Sequence, residues 1–320
     1  MNKWCIIGVY FGEFPNYIDL WLKSAQKNAF VDFIIFTDAK VTWAPDNVRF
    51  IYFTIEKMKE LASRKLGFEV SLERPYKCCD LKPAYGFIFE EYLSDYEYWG
   101  HCDFDLIWGD LRSFFDKYRL ELYDKFLSLG HLGMYKNTYE NNRRFMLEGA
   151  TFSYEKVFTS TRNFAFDETP GIYRIFEKNG FSMFDRRIFA DISKIYRRFR
   201  LARNDKNYDY QVFCWSNGHI YRYYYDESIK RDEYIYIHFK ERGFMPIEGN
   251  CMQCNSFYIT DHGFCPCDPA SINIADMQMQ NFFESQKAEK RELREYIWKE
   301  RKRRLIAKIN RLLCREGKMR

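Results

Sequence analysis

The sequence predicts an α/β fold, a mixed sheet flanked by helices, on three observations. Residues Trp4–Tyr10 read WCIIGVY, an uninterrupted apolar run of β-formers, which marks a strand buried on both faces. Strand and helix patterns then alternate over the first hundred residues, the order that gives parallel strands joined by helical crossovers. The chain is 320 residues long, enough for one large α/β domain with a sizeable core, or for two smaller ones.

The elements follow in order. Gly12 and Pro15 end the first strand, and Tyr17, Leu20, Trp21 and Ala25 then recur at helical spacing over 17–28. Val31–Thr37 (VDFIIFT) is a second strand, ending before Asp38, and 48–53 (VRFIYF) a third. A helix is expected over Ile55–Leu66, another over 81–93, and a strand over 96–102. The region 111–127 reads as helical and 131–136 as a strand. In 163–179 a turn leads into a helix, with Pro170 near its first position and Gly180 just past its end. Runs 210–215 and 220–225 flank Ser-Asn-Gly-His, a hairpin signal, and 234–238 (YIYIH) is one more strand. From Asp276 onward the chain turns helical and charged, so a body over 1–275 and a tail over 276–320 are expected.

Composition narrows the class. At 47% hydrophobic and 30% charged residues the chain is globular rather than disordered. Aromatics reach 20%, enough to line sugar-binding surfaces, although large aromatics mostly serve as core. No segment approaches the roughly eighteen apolar residues of a membrane span. The amino terminus carries Lys3, a short apolar run and then Glu13, the pattern of a first strand rather than a signal peptide. A cytoplasmic location and mainly reduced cysteines are therefore expected. Net charge is +5, yet Lys287–Arg320 holds fourteen Lys and Arg against five Glu, so the rest of the chain sums to −4. The basic character belongs to the tail.

The stretch YWGHCDFDLIWGDL sets Asp103, Asp105 and Asp110 within eight residues of largely aromatic and aliphatic sequence. A buried carboxylate is expensive unless a proton, a hydrogen-bond network or a cation neutralises it. At a strand end, paired acids suit a hard divalent ion such as Mn²⁺ or Mg²⁺, which keeps positions open for phosphate. Here the sequence resembles the GT-A class of nucleotide-sugar glycosyltransferases, whose Asp-x-Asp motif holds a divalent ion against the donor diphosphate. More closely it resembles a bacterial family of polysaccharide-associated glycosyltransferases through PYKCCDLKPAYGFIFEEYL, YWGHCDFDLIWGDL and IHFKER, within a likeness spanning about 4–260. The resemblance implies a GT-A-like, Rossmann-type mixed sheet flanked by helices, a nucleotide-sugar donor and a glycan acceptor. It identifies neither the sugar nor the linkage. A nucleotidyltransferase shares strand-end acids and Mg²⁺, but VYFGEFP lacks its Gly-rich phosphate loop. The non-enzymatic alternative is a membrane-associated scaffold or nucleic-acid-binding protein working through the basic tail.

Candidate roles follow from both lines. Asp103 and Asp105 are the expected metal residues; His238 is a third candidate ligand, or else a strand-end histidine bonded to backbone. Lys240 and Arg242, alternating on one strand face, can grip phosphate or remain solvated. The resemblance places Lys77, Asp80 and Lys82 beside the nucleotide, whereas Asp80 can instead be an N-cap. Asp38 and Tyr10 sit at strand ends where open α/β sheets bind nucleotides; the acid can bond uracil or ribose, and the ring can stack on the base. Asp167 and Glu168 in NFAFDETPGI are candidates for the acceptor base of an inverting transfer, or for helix capping, with Glu148 a weaker rival.

Two motifs stand apart. Cys251, Cys254, Cys265 and Cys267 are spaced C-x2-C-x10-C-x-C, a zinc quartet with a tight second pair, or free thiols on a hairpin. In the tail, Leu293, Ile297, Leu305, Ile309 and Leu312 form an apolar stripe among Lys and Arg. Such a helix suits an anionic membrane surface and a lipid-linked glycan acceptor; packing on the body is the alternative, and nucleic acid is not expected.

Overall fold

The structure, a computed structural model, describes residues 4–203, 205–240, 242 and 244–316, with side chains in the last helix up to Ile306. Its largest sheet has seven strands: β1 (Trp4–Tyr10), β2 (Val31–Thr37), β3 (Val48–Tyr52), β4 (Tyr98–Cys102), β6 (Lys125–Phe126), β7 (Leu132–Lys136) and β8 (Met183–Phe184). They lie in the order β3-β2-β1-β4-β7-β6-β8. The first four in that order are parallel, and β7 turns the sheet antiparallel against β4. This is the mixed, helix-flanked sheet that the sequence predicts.

The pleat explains the unbroken apolar run of β1. Ile6 faces one core with Phe33 and Ile35, alongside Leu20 and Trp21 of α1 (Ile18–Gln26). Cys5 and Ile7 face the other with Ile34 and Phe36, alongside Met58 and Ala62 of α2 (Ile55–Leu66). Alternate side chains thus feed two buried faces, so no polar position is tolerated. Thr54 caps the start of α2, accepting a hydrogen bond from the Lys57 N–H, and Gly67 ends it in the left-handed region at φ 79°.

Two further sheets frame the rest. A three-stranded sheet pairs β13 (Tyr236–His238) antiparallel with β5 (Leu106–Trp108) and parallel with β9 (Ala190–Asp191). An antiparallel five-stranded sheet runs β12-β11-β10-β14-β15, from β10 (Gln211–Ser216), β11 (His219–Asp226), β12 (Ser228–Tyr234), β14 (Ser256–Thr260) and β15 (Gly263–Pro266). The predicted hairpin turn is present, with Asn217 and Gly218 at φ 50° and 96° between β10 and β11.

Several boundaries differ from expectation. The helix expected over 81–93 begins earlier, at Pro75, and proceeds to Tyr92 in short 3₁₀ and α pieces. The helix expected over 111–127 stops at Lys117, because Arg119 adopts φ 49° and the chain then enters a 3₁₀ turn and β6. The run 234–238 divides between two sheets, with Tyr234 closing β12 and Tyr236 opening β13. Near the carboxyl end, Ile274–Gln280 is helical with an Asn273 capping box, and Asn281 breaks the chain before Gln286–Glu316 resumes as a helix. That last helix starts against the body: Ala288 is buried, and Glu289 bonds Arg198 at 2.6 Å and also Arg200. Further along, Ile297, Trp298, Leu305 and Ile306 are exposed; Ile309 and Leu312 lie outside the described side chains.

Candidate functional site

The acidic motif works by alternation. Phe104 points into the core against Tyr10 and Trp21, and fills the space where a Cβ on Gly8 would meet its ring at 2.5 Å. The flanking Asp103 and Asp105 turn the other way and keep 31% and 19% of their side chains exposed. The Asp103 N–H bonds the His131 carbonyl at 3.0 Å, and the Asp105 carbonyl accepts from the Phe239 N–H at 2.8 Å. Both acids are therefore fixed at the carboxyl end of β4.

The β5-β13-β9 sheet delivers His238 to them. Its Nε2 lies 3.4 Å from Asp105 Oδ1, and its Nδ1 lies 3.0 Å from Asp191 Oδ1. One ligand atom from each of Asp103, Asp105 and His238 falls within 4.8 Å of the others. Carboxylate oxygens with an imidazole nitrogen form a donor set that fits a divalent ion such as Mn²⁺. Burial by itself lowers the pKa of His238, but its bonds to Asp105 and Asp191 outweigh that and hold it up at about 9. The imidazole of His131 stacks on His238, centroids 4.2 Å apart, and its Nδ1 meets the Tyr236 hydroxyl at 2.7 Å. His131, Asp191 and His238 form a second, wholly buried trio within the same mutual distance.

Beside the metal cluster lies a buried ion triad. Lys82 Nζ is 2.5 Å from Asp103 Oδ1, 2.8 Å from the Gly130 carbonyl and 3.4 Å from Asp167 Oδ2. Burial opposes the lysine charge, yet the two carboxylates outweigh it and hold the pKa of Lys82 well above its usual value. Asp167 has the weaker share of that cation, and burial pushes its pKa up to about 7. Gly130 is required here, since a Cβ at that position would sit 2.2 Å from Asp167 Oδ2. The Asp167 side chain thus faces Lys82, while Glu168 occupies the N-cap position of the turn Thr169–Tyr173 without a side-chain cap bond. Glu148 pairs with Lys178 on an exposed surface.

The remaining candidates hold the frame. Lys77 and Asp80 are both buried and 2.7 Å apart. Asp80 accepts the Phe164 and Phe166 N–H groups, and Lys77 donates to the Val157 and Arg162 carbonyls. Asp80 is thus inside its helical tract rather than an N-cap, and the pair pins the segment leading to Asp167. Asp38 accepts the Gly12 N–H at 2.8 Å and stays exposed at the end of β2. Tyr10 stacks on Phe14 at 4.7 Å, and its hydroxyl donates to the Glu13 carbonyl. Lys240 and Arg242 do not share a strand face: β13 ends at His238, and Lys240 has φ 51°. Lys240 lies 2.7 Å from Asp191, and the Arg242 guanidinium sits over Phe199 and donates to the Tyr196 carbonyl.

The cysteines do not assemble a zinc quartet among the described residues. The Cys251 thiol donates to the Glu248 carbonyl and that of Cys254 to the Ser256 carbonyl, whereas Cys267 meets Cys214, Sγ atoms 3.3 Å apart. The Lys23 ammonium organises the 251–254 turn, donating to the carbonyls of Cys251, Met252 and Cys254.

Residues 6–268, most of the chain, match the profile of a family described as "Family of unknown function (DUF6625)". The chain belongs to this family. No curated protein matches the sequence. Among solved structures it is similar to a galactosyltransferase, LgtC, in complex with donor and acceptor sugar analogs. The two are 11% identical with a TM-score of 0.33, over 58% of this chain and 75% of that one.

In this DUF6625 chain the sequence reading missed Asp191, His131 and Gly130. Asp191 and His131 belong to short strand and loop segments without a motif. The HLGMYK run did identify the strand beginning beside His131.

Proposed function

We propose that this protein is a divalent-metal-dependent glycosyltransferase of GT-A-like architecture. It transfers a sugar from a nucleotide-sugar donor, in our reading a UDP-sugar, to a glycan acceptor in bacterial surface polysaccharide synthesis. The observation that carries the reading is the meeting of Asp103, Asp105 and His238 at the carboxyl end of β4, beside the ends of β1 and β2. Ligands bind open α/β sheets at that edge. Bound there, Mn²⁺ or Mg²⁺ supplies charge stabilisation to the departing diphosphate without protonation.

The residues of the chain do the rest. Asp103, Asp105 and His238 would hold the ion, and Lys82, bonded to Asp103, would keep that carboxylate in place. Tyr10 and Asp38 lie at the edge where the base and ribose would bind. In an inverting transfer the acceptor oxygen bonds the anomeric carbon, the bond to the diphosphate breaks, and the hydroxyl proton passes to Asp167. A carboxylate whose pKa is about 7 is matched to that task near neutral pH. Glu168 is the alternative base on the same turn. Lys77 and Asp80 enter through the segment they pin, Lys240 stands behind His238 through Asp191, and Arg242 packs over Phe199.

The deciding experiment is a panel of nucleotide sugars with Mn²⁺, scored for donor hydrolysis and thermal stabilisation. Asp105→Asn and EDTA should each cut turnover by orders of magnitude while the fold survives. Transfer that withstands both would overturn the metal reading.

The tail, 276–320, serves in this proposal as a peripheral anchor on the cytoplasmic face of an anionic bilayer, where a lipid-linked acceptor is presented. Exposed Ile297, Trp298, Leu305 and Ile306 among Lys299, Arg301, Lys302, Arg303 and Arg304 support it. Among the described residues no helix is long and apolar enough to cross a membrane. A chain ending at Glu292 keeps the Glu289 contacts and should lose co-sedimentation with anionic vesicles. Equal pelleting of both chains, or none by either, would remove the anchor.

A further inference from the structure

A histidine offers a metal one lone pair, and the bond made by its other nitrogen decides which nitrogen carries it. In His238 the two nitrogens face different acids. Nε2 faces Asp105 at 3.4 Å, on the side of the metal cluster, whereas Nδ1 faces Asp191 at 3.0 Å. Asp191 is 1% exposed, and its second oxygen is held by Lys240 Nζ at 2.7 Å. The backbone fixes the same pairing: β9 and β13 set Asp191 opposite His238, and the Ile192 N–H donates to the His238 carbonyl at 2.9 Å. Stacking of His131 at 4.2 Å, with 21° between the rings, restrains the plane of the imidazole.

We propose that Asp191, braced by Lys240, is a positioning residue for the metal site. It accepts the Nδ1–H of His238 and thereby leaves the Nε2 lone pair aimed at the ion held by Asp103 and Asp105. This inference rests on the metal reading above. The alternative, an ion bound by the buried trio of His131, Asp191 and His238, sets the cation against the Lys240 ammonium 2.7 Å from its carboxylate ligand. It also breaks the Asp191–His238 bond. The structure therefore favours Asp191 behind the ligand rather than on the ion, and it gives Lys240 a role without donor phosphate.

The test is Mn²⁺ binding to the purified chain, followed by electron paramagnetic resonance, with and without UDP. Asp191→Asn keeps the shape but leaves one acceptor oxygen for two donors, Lys240 and His238. Its Mn²⁺ affinity should fall about 10- to 100-fold, with turnover at saturating Mn²⁺ much less affected. Asp105→Asn serves as the control for the metal reading. Mn²⁺ binding that Asp105→Asn weakens but Asp191→Asn leaves unchanged would overturn this inference alone. Absence of Mn²⁺ binding by the unaltered protein would overturn both. Should Asp191→Asn fail to fold, nitrogen-15 correlations of the His238 ring in the unaltered, Mg²⁺-loaded protein decide. A proton on Nδ1 with Nε2 bare supports the proposal, and the reverse tautomer refutes it.

Discussion

Asp167→Asn should make this protein more stable above neutral pH while abolishing transfer. Asp167 is 5% exposed, and burial lifts its pKa from an ordinary 3.8 to about 7 despite the attraction of Lys82. An acid whose pKa is raised by folding binds more protons folded than unfolded, so stability is lost as pH rises from about 4 to 7. An interval of about three pH units corresponds to ~4 kcal/mol, the cost of keeping the carboxylate charged in place. The amide never ionises and avoids that cost. At pH 8 the variant should melt on the order of 5–10 °C higher, and the gap should close as pH falls towards 4. Calorimetry or circular dichroism across pH 4–8 measures it, alongside donor turnover. A variant that melts at or below the native temperature at pH 8 would refute the reasoning. Unchanged transfer would separately remove Asp167 as the acceptor base.

Two further outcomes follow from the same site and its surroundings. His238 must lose its proton to bind a metal, and its pKa is held at about 9, so Mn²⁺ affinity should fall about tenfold per pH unit below that value. Titrations from pH 6 to 9 check this, and a flat profile would mean that His238 is not a ligand. Lys23→Met removes the donor shared by three carbonyls of the 251–254 turn and should cost ~1–2 kcal/mol in urea unfolding. An unchanged midpoint would show that water replaces the ammonium without loss.

Much of the frame was legible because its signals are local. The WCIIGVY run, the helical stretch Ile55–Leu66 and Asn-Gly between β10 and β11 each state their conformation within a few residues. The alternation of Asp103, Phe104 and Asp105 likewise stated that one side chain goes in and two come out. Less was legible where several short-range rules compete. Between Pro75 and Tyr92, Pro83 and Gly86 interrupt a helical pattern; Gly86 leaves room for Trp99, which a Cβ would meet at 2.3 Å. The YIYIH run alternates well enough for one strand, yet packing against β5 and β11 divides it between two sheets.

By itself the sequence determined a buried first strand, a mixed helix-flanked sheet, a pair of acids at a strand end and a basic last helix. Each of these depends on spacing between near neighbours, which periodicity records. Only the tertiary structure decided what each polar group does. The Asp80 carboxylate pins a distant segment, Asp167 shares a buried lysine with Asp103, and Asp191 meets both Lys240 and His238. An aspartate can cap a helix, pair with a lysine or face a metal with the same local sequence around it. The choice lies with groups far away in the chain that the fold brings within 3 to 4 Å, where desolvation makes an unpaired charge too costly to leave alone.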